Sequence, residues 1–408
     1  MRTEQAEVVI TGAGPSGAVA AALLRRQGHQ VLVIERETFP RFSIGESLLP
    51  QTMQYLEEAG MLKDVVEAGF QYKNGASFSR GEQRTAFDFR DKFSEGWGTT
   101  YQVQRGRFDK VLADAAQRMG AEIRYRHEVR DVSVGTAPSL VVADEQGQEY
   151  RVEARLILDA SGFARLLPRL LNLERPSRFP VRQAYFTHIQ DHIAPDGDFD
   201  RAKIRVAVHP EFQDVWYWLI PFSDGRMSIG VVAEPAFLDR YEGDEMTRLR
   251  TLVNEDPNLR TLLAQAVWDT PARTLKGYSA DVTTLAGPGF ALLGNAGEFL
   301  DPVFSSGVTI ALTSASLAAG CAHRQLTGET VDWNAEYAVP LKRGVDTFRA
   351  FVEAWYEGSF QKIIFHPAPP PTIRQMICSI LAGYAWDERN PYVSEMPRRL
   401  VSLAKVCA

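Results

Sequence analysis

The sequence predicts an α/β fold in which a parallel-sheet domain carries an inserted mixed β-sheet and is followed by a helical C-terminal region. Three observations lead to this prediction. First, a short apolar run at 7–10 is followed by a glycine-rich turn and an Ala/Leu-rich stretch. Second, residues 181–232 are rich in alternating, β-branched and aromatic residues. Third, the chain from about residue 335 has a mainly helical pattern. We therefore expect these parts: 1–170 with an inserted segment at about 75–100, 171–275 as a mixed-sheet substrate domain, 276–330 as the completing part of the first domain, and 331–408 as the helical region.

The glycine-rich turn carries the first chemical signal. Gly12 permits the tight turn, Gly14 lets the backbone approach a pyrophosphate, and Gly17 lets helix and strand pack closely. Glu35 ends the next strand 23 positions after Gly12, near the ~20 expected for a carboxylate that binds a ribose hydroxyl. This order predicts a Rossmann-like dinucleotide-binding unit, and a glycine-rich turn without a ligand is the alternative. The predicted cofactor contacts here are Gly12, Gly14, Ser16, Gly17, Glu35 and Arg36.

Two later segments repeat the pattern of an apolar strand that ends in a polar turn. They lie at 155–162 and 290–297, and a helix of small residues is predicted after the second, at 308–319. We expect both strands to complete the first sheet. The helical pattern after residue 335 is interrupted by four prolines, which must break any helix there: Pro367, Pro369, Pro370 and Pro371.

Composition argues against several classes of function. The chain has 45 basic and 51 acidic residues, a net charge of −6 and no dense basic stripe, so nucleic acid is not an expected partner. Cys321, Cys378 and Cys407 form no CxxC pair, which argues against a disulfide framework and a metal site and favours the reducing cytoplasm. No apolar run approaches the ~18 residues that span a bilayer, and no signal peptide precedes the first strand, so we expect no transmembrane segment.

The two later turns resemble the further FAD signatures of the glutathione-reductase-type monooxygenase superfamily. They lie at 159–162 and 294–302, and the segment 101–109 resembles the helix start whose glutamine and arginine lie against FAD. One position departs from the pattern, because Asn295 stands where the second signature has an acid. The sequence shows no second glycine fingerprint for NAD(P)H, which favours FAD. The FAD contacts that the resemblance implies are Gln102, Arg105, Asp159, Gly162, Asn295, Asp301 and Pro302.

Three further motifs follow the glycine fingerprint, at 43–50 (SIGESLLP), 73–76 (KNGA) and 216–221 (WYWLIP). Together they resemble the flavin-dependent halogenases, and Ser47 in the first motif is a further implied FAD contact. The tryptophan-specific branch of that family has a glutamate where this chain has Phe304, which favours the branch acting on phenols or pyrroles, often on a carrier protein. The two tryptophans of the third motif share one strand face, where they form either a wall between flavin and substrate or ordinary core.

The resemblance also implies a chemistry. In the family, reduced flavin and oxygen form a hydroperoxide, halide takes its distal oxygen, and hypohalous acid travels to a lysine beside the substrate. Lys73 matches that catalytic lysine, because a desolvated amine has a lowered pKa and can act as nucleophile or proton donor. A solvated charge at a strand edge is the alternative for Lys73. Ser306 and Gly307 are the implied chloride or bromide contacts at a helix start, where N-capping by Ser305 or Ser306 is the alternative.

The expected function is FADH2-dependent halogenation of a phenol or pyrrole, free or bound to a carrier protein. A separate flavin reductase is the expected partner, because the sequence shows no NAD(P)H site. An FAD-dependent monooxygenase, a dehydrogenase or a prenyl-type reductase without halide chemistry is the competing prediction, and an accessory flavin-binding protein is a third. No substrate base is assigned, since His188 and His192 are candidates but an isolated histidine is more often structural. The aromatic residues between 348 and 360 recur at helical spacing, which is typical of a core face and less often of a lid.

Overall fold

The computed structural model describes residues 1–194, 197 and 199–407. The strands, in chain order, are β1 (Arg2–Thr11), β2 (Val31–Glu35), β3 (Gln71–Lys73), β4 (Gly75–Arg80), β5 (Gln83–Asp88), β6 (Thr100–Gln102), β7 (Glu122–Tyr125), β8 (Glu128–Ser133), β9 (Ser139–Ala143), β10 (Glu149–Asp159), β11 (Glu174–Arg175), β12 (Gln183–Gln190), β13 (Lys203–Val208), β14 (Trp216–Pro221), β15 (Arg226–Ala233), β16 (Arg273–Lys276), β17 (Asp281–Val282), β18 (Ala286–Gly287) and β19 (Phe290–Leu292).

The helices, in chain order, are α1 (Pro15–Arg26), α2 (Gln51–Glu58), α3 (Leu62–Glu67), α4 (Arg105–Arg118), α5 (Leu166–Leu170), α6 (Pro235–Leu238), α7 (Glu245–Glu255), α8 (Pro257–Leu262), α9 (Ser306–Leu326), α10 (Val339–Tyr356), α11 (Ser359–Ile364), α12 (Pro371–Leu381), α13 (Pro391–Ser394) and α14 (Arg398–Val406). Short 3₁₀ turns lie at Gly162–Ala164, Gly294–Ala296 and Pro302–Phe304, and a π-helical turn lies at Asn334–Ala338.

The first sheet is built around the predicted βαβ unit. β1 pairs in parallel with β2, and α1 connects them. On its other side β1 pairs in parallel with β10, which pairs in parallel with β19, so both later strands complete the sheet as predicted. Across the described residues the order is β18-β19-β10-β1-β2-β7, with β9 and β8 attached to β10. The register places Thr11, Asp159 and Leu292 side by side, so three polar turns meet at one sheet edge.

Small side chains let α1 pack closely inside the molecule. All of its residues from Pro15 to Leu24 are buried, and most of these are alanine, glycine, valine or leucine. The long helix α9 packs against α1. Both helices begin near the edge where the polar turns meet, which brings two helix N-termini into one region.

The second sheet, in the part of the chain that is described, has the order β16-β12-β15-β14-β13-β4-β5. β4 and β5 come from the segment predicted as an insertion, and β4 pairs in parallel with β13. Strand alternation divides the two faces, because Trp216 and Trp218 on β14 pack into the main core whereas Tyr217 and Leu219 pack against α7 and its neighbours in a separate core.

The C-terminal region is helical, as the sequence predicts. Its aromatic residues face the core, since Phe348, Phe351, Trp355 and Phe360 are fully buried. They therefore form a core face and not an open lid. The chain leaves α11 at Ile364 and enters α12 at Pro371, so the proline-rich segment is the break between two helices.

Candidate functional site

The packing of the first turn requires Gly12 and Gly17. Gly12 has a φ of +93°, and a Cβ there would lie 2.5 Å from the carbonyl oxygen of Ala160. A Cβ on Gly17 would lie 1.9 Å from the carbonyl oxygen of Gly12. Neither position tolerates a side chain. Glycine at both positions permits the tight turn that connects β1 to α1, with Gly14 as the N-cap of the helix. The N–H groups of the first helical turn and the helix dipole make this N-terminus a favourable anion site.

Glu35 binds the glycine-rich turn through both of its carboxylate oxygens. Its Oε2 accepts the backbone N–H of Ala13 at 2.8 Å, and its Oε1 accepts the backbone N–H of Glu37 at 2.8 Å. An ionised carboxylate has more than two acceptor positions, so Glu35 keeps the capacity to accept a ribose hydroxyl. Arg36, the next residue, lines the cavity described below.

Arg41 is a residue that the sequence interpretation missed. Its Nη2 lies 3.8 Å from Oε2 of Glu35, and a Cβ on Gly14 would lie 3.4 Å from the same nitrogen. Its Nε is buried without a hydrogen-bond partner among the described residues. A guanidinium with an unused donor above a helix N-terminus is suited to bind a phosphate group. No motif marks this arginine, and its only signal is its position in the loop that follows the predicted acid.

A cavity of about 420 Å³ extends from the first turn of α1 to the first turn of α9. The predicted site residues that line it are Gly14, Ser16, Arg36, Ser47, Arg105, Gly162, Asn295, Pro302 and Gly307. Within the described chain, the predicted site residues outside this lining are Gly12, Gly17, Glu35, Lys73, Gln102, Asp159, Asp301 and Ser306. A groove that joins two helix N-termini, with an unpaired arginine nitrogen at one end, fits an elongated dinucleotide such as FAD.

Asp159 fixes the turn after β10. Its Oδ1 accepts the hydroxyl of Thr11 at 2.8 Å and the backbone N–H of Ser161 at 2.9 Å, and its Oδ2 accepts the backbone N–H of Leu167 at 2.8 Å. Burial raises the pKa of this carboxyl, and these hydrogen bonds oppose that effect. Asp159 therefore shapes the turn, and Gly162 in that turn reaches the cavity.

The turn before α9 brings a second helix N-terminus to the cavity. Ser305 has a left-handed backbone with a φ of +56°, and α9 begins at Ser306. A Cβ on Gly307 would lie 3.1 Å from Cε2 of Phe299, which is tighter than an ordinary contact. Among the described residues, Ser305 makes no capping hydrogen bond through its side chain. The first-turn N–H groups of a long helix therefore remain suited to an anion at this end of the cavity.

The loop that contains Ser47 is tied to α4 and to β6. Arg105 donates from Nε to Oδ1 of Asp109 at 2.7 Å and from Nη1 to the carbonyl oxygen of Ile44. Gln102 forms an isolated β-bridge with Ser47. Arg105 and Ser47 line the cavity, so this loop forms one of its walls.

Lys73 is the last residue of β3, and its side chain is fully buried. Its Nζ donates to Oγ of Ser47 and to the carbonyl oxygen of Leu48, each at 2.7 Å, and lies 5.3 Å from the ring centre of Phe89. Burial lowers the pKa of this amine from 10.5 to about 7. The structure therefore contradicts the alternative of a solvated charge at a strand edge. Ser47 lies between Lys73 and the cavity, because it contacts the amine and also lines the cavity.

Trp216 and Trp218 lie side by side on β14, with ring centres 6.0 Å apart, and both line the cavity. Trp218 donates from Nε1 to Oγ of Ser228 at 3.0 Å, and its ring lies on Gly230, where a Cβ would be 2.3 Å from Trp218 Cζ2. Trp216 donates from Nε1 to the hydroxyl of Tyr356, and neither this acceptor nor Ser228 is among the described residues that line the cavity. The apolar faces of the two rings therefore form the wall. The two tryptophans are therefore buried core residues and cavity wall at once.

The two candidate histidines have different surroundings. His188 lies with Nε2 2.7 Å from Oε1 of Glu46, between the rings of Phe42 and Phe222. Glu46 lines the cavity, so this pair connects the second sheet to the cavity wall. His192 is exposed, with a left-handed backbone. The structure thus brings His188 to the site and leaves His192 outside it.

Among the residues that the structure describes, no group of histidine, cysteine, aspartate and glutamate side chains could hold a metal ion. The same part of the chain contains no helix whose length and apolar character would let it cross a bilayer.

Comparison with known proteins agrees with this geometry. A family model described as an FAD binding domain matches residues 5–287. A 1H-pyrrole-2-carbonyl-(peptidyl-carrier protein) chlorinase from Pseudomonas fluorescens is 27% identical, over 97% of this chain and 93% of its own. A tryptophan 2-halogenase from Chondromyces crocatus is 30% identical, over 79% of this chain and 62% of its own.

Solved structures show the same fold. The crystal structure of a flavoprotein/dehydrogenase from Cytophaga hutchinsonii is 43% identical, with a TM-score of 0.95 and 99% of each chain covered. The matched domain also spans the fingerprint, the lysine and the tryptophan motif. The chain therefore belongs to the family of flavoproteins that share this FAD-binding domain, and within it is an FAD-dependent enzyme of the flavin-dependent halogenase family.

Proposed function

We propose that this chain halogenates an electron-rich aromatic ring and that Lys73 is its catalytic residue. The observation that carries the proposal is the buried amine. Lys73 has no exposed surface, its pKa is lowered to about 7 by burial, and its Nζ lies 2.7 Å from a residue that lines the cavity. A buried lysine held by neutral acceptors next to a cofactor cavity is costly for stability, which favours a chemical role.

The amine can transfer a halogen in two balanced steps. When bound and reduced, FAD supplies two electrons to dioxygen, and halide then yields hypohalous acid. The lone pair of neutral Lys73 attacks the halogen of hypohalous acid, a nitrogen–halogen bond forms, and water leaves with the amine proton. The aromatic carbon then takes the halogen, and the ring proton returns to the amine. In its protonated form Lys73 can instead hold hypohalous acid by a hydrogen bond.

The proposed halide site is the first turn of α9. Backbone N–H groups at Ser306 and Gly307 are suited to chloride or bromide, and the helix dipole favours an anion there. A Cβ on Gly307 would meet Cε2 of Phe299 at 3.1 Å, so any side chain at this position must displace the ring or the turn slightly. Gly307 also lines the cavity, so an anion held here would lie beside the cofactor.

The proposed substrate is a phenol or a pyrrole presented by a carrier protein. Phe304 packs edge-on against Trp355 and Phe360, so the turn next to the halide site is apolar. An activated ring needs no additional acid at that turn once the oxidant is held nearby. The Pseudomonas fluorescens relative is by name a chlorinase of a pyrrole on a carrier protein, which supports the same substrate class.

The proposed partners are a flavin reductase and a carrier protein. A separate flavin reductase would supply reduced FAD, since the sequence has one dinucleotide fingerprint, and a carrier protein would deliver the ring. We expect the reaction to take place in the cytoplasm, where free thiols such as the three cysteines stay reduced.

A second candidate function is FAD-dependent oxidation or reduction without halide. The observation that favours it is the name of the 43% identical structure from Cytophaga hutchinsonii, a flavoprotein/dehydrogenase. Neither hydroxylation nor hydride transfer requires a buried amine at Lys73, so the lysine distinguishes the two candidates.

The proposal is tested by incubating the protein with a flavin reductase, NADH, oxygen and bromide. Phenol and pyrrole carboxylic acids, free and attached to a carrier protein, are the substrates, and high-resolution mass spectrometry reads the products. A bromine isotope doublet that requires bromide supports the proposal. A product with an added oxygen or without two hydrogens, formed equally without bromide, would instead assign the second candidate.

A further inference from the structure

A buried hydrogen-bond network lies behind the proposed halide turn. Its centre is Asp301, a residue that is 2% exposed and is not part of the cavity lining in the described residues. Oδ2 of Asp301 accepts the hydroxyl of Tyr356 at 2.8 Å and that of Tyr278 at 3.2 Å. Oδ1 accepts the backbone N–H of Val303 at 3.0 Å, which caps the turn before α9. The structure therefore gives Asp301 a place behind the cavity wall.

Tyr356 connects this carboxyl to the tryptophan wall. Its hydroxyl accepts the indole N–H of Trp216 at 3.0 Å and donates to Asp301. Because an indole N–H is a donor only, the hydroxyl proton of Tyr356 must point to the carboxylate, which fixes one direction for the whole chain of hydrogen bonds. The guanidinium of Arg182 lies 4.0 Å above the ring centre of Tyr356 and holds the ring in place.

The network joins three parts of the fold at one hydroxyl. Trp216 belongs to β14 and lines the cavity, Asp301 belongs to the turn before α9, and Tyr356 is the last residue of α10. The positions of the cavity wall and of the halide turn therefore depend on each other through Tyr356. Buried polar networks of this kind hold one arrangement when every member is satisfied.

We propose that Tyr356 is a positioning residue for halide, which it orders through Asp301 and the turn before α9. This inference rests on the proposed function, because it assumes that the first turn of α9 binds chloride or bromide. Tyr356 itself makes no contact with the proposed halide position. It keeps the backbone N–H groups of the turn at a fixed distance from the wall formed by Trp216.

The variant Tyr356→Phe removes one hydroxyl and leaves the ring in place. It deprives Asp301 of a donor and Trp216 of an acceptor, so both groups become partly unpaired inside the protein. We expect the dissociation constant for bromide to rise about tenfold, because a turn that is no longer held by Tyr356 would lose about one charge-assisted hydrogen bond from its backbone N–H groups to the anion. FAD affinity should change little, because Tyr356 does not line the cavity in the described part of the chain.

Tyr217→Phe is the matched control. Tyr217 is fully buried on the same strand as Trp216, and its hydroxyl donates to the carbonyl oxygen of Leu252 at 2.8 Å in the separate core. The same atom is removed from a tyrosine in the separate core, with no hydrogen bond to Asp301. A loss of stability alone should therefore affect both variants in the same way.

The measurement is a bromide titration of the FAD-loaded protein, followed by the flavin absorbance at constant ionic strength, without turnover. Weaker bromide binding by Tyr356→Phe than by Tyr217→Phe would support the inference. Equal bromide affinity in the parent and Tyr356→Phe, or equal weakening in both variants, would overturn it. A parent that does not respond to bromide would contradict the halide site of the proposed function as well. If Tyr356→Phe does not fold, Trp216→Phe removes the other partner of the same hydroxyl and must weaken bromide binding.

Discussion

At the scale of single residues, the proposed chemistry depends on one buried amine. Moving an ammonium group out of water costs free energy unless an opposite charge compensates it. Lys73 has neutral acceptors, the hydroxyl of Ser47 and the carbonyl of Leu48, and burial is the cause of its lowered pKa. The environment therefore favours the neutral amine at a pH where a solvent-exposed lysine remains charged.

The pH dependence of halogenation tests which form of Lys73 acts. The neutral fraction of the amine rises as pH increases through its pKa of about 7, so a nucleophilic amine predicts a bromination rate that rises between pH 6 and pH 8. Product formation is measured by mass spectrometry, and NADH consumption in the same samples serves as the control for flavin reduction. A rate that falls over this range while NADH consumption stays constant would assign the ammonium form instead.

The sequence locates Lys73 but does not reveal its surroundings. The motif at 73–76 marks the position, whereas a lysine at a strand end is ordinarily exposed. Its burial depends on Ser47 and Phe89, which lie on separate segments. Arg41 was missed for the same reason, because its position beside Glu35 depends on a loop whose path no local pattern predicts.

At the scale of elements, two helix N-termini define the ends of the cavity. α1 offers its first turn at the nucleotide end, and α9 offers its first turn at the proposed halide end. Both depend on glycines at which an added Cβ would meet neighbouring atoms. The sequence pattern predicts the role of those glycines, because a tight turn before a helix is a local feature.

Gly307→Ala tests the proposed halide turn. The new Cβ would lie 3.1 Å from Cε2 of Phe299, so the ring or the turn must shift by a few tenths of an ångström. We expect bromide binding to weaken about tenfold if the shift removes one charge-assisted hydrogen bond from a backbone N–H group. The bromide titration of the FAD-loaded protein measures this change.

Gly320→Ala on the same helix is the control. Apart from the adjacent backbone of its own helix, a Cβ at Gly320 meets no described atom within 4 Å, so this variant should stabilise α9 by ~0.5–1 kcal/mol and leave bromide binding unchanged. Bromide binding that stays at the parent level in Gly307→Ala would place the halide elsewhere.

The network around Asp301 depends on contacts between elements, which local sequence patterns do not predict. The sequence predicts a helix after 294–302 and a helical region after residue 335, and both form. The contact between Tyr356 and Asp301 joins residues 55 positions apart in the chain. Such pairs depend on how helices pack, which periodicity alone does not determine. The direct FAD contact predicted for Asp301 stays a prediction.

At the scale of the whole molecule, the cavity lies between the two sheets. Gly14 and Asn295 in its lining follow strands of the first sheet, and Trp216 and Trp218 belong to the second. The pair of Glu46 and His188 also connects the two parts, at 2.7 Å. A cofactor in this cavity would therefore contact both parts and resist their separation.

FAD should raise the thermal midpoint of the whole protein. At a free concentration of 100 times its dissociation constant, a ligand that binds only the folded state stabilises it by about 2.7 kcal/mol. Riboflavin at the same concentration should give a smaller shift, because it lacks the phosphates for which we expect α1 and Arg41 to form a site. Differential scanning fluorimetry measures both, and equal shifts would contradict a phosphate site at α1.

The sequence predicts much of this architecture, but it does not predict which sheet the inserted segment joins. The βαβ unit, the two later strands and the helical C-terminal region are local patterns, and they form as predicted. The segment at 75–88 instead supplies β4 and β5 to the second sheet, because β4 pairs with β13 across more than a hundred residues of chain. The division at residues 170, 275 and 330 stays a prediction.

The most direct test of the central claim compares the parent with Lys73→Met, both loaded with FAD, in the bromide reaction. Methionine keeps an unbranched apolar side chain in the buried site and has no amine. Taurine is added to trap hypobromous acid that leaves the protein, and mass spectrometry reads bromotaurine and brominated substrate together. We predict that the parent brominates the substrate, whereas Lys73→Met still forms bromotaurine but no brominated substrate. Undiminished bromination of the substrate by Lys73→Met would contradict the account.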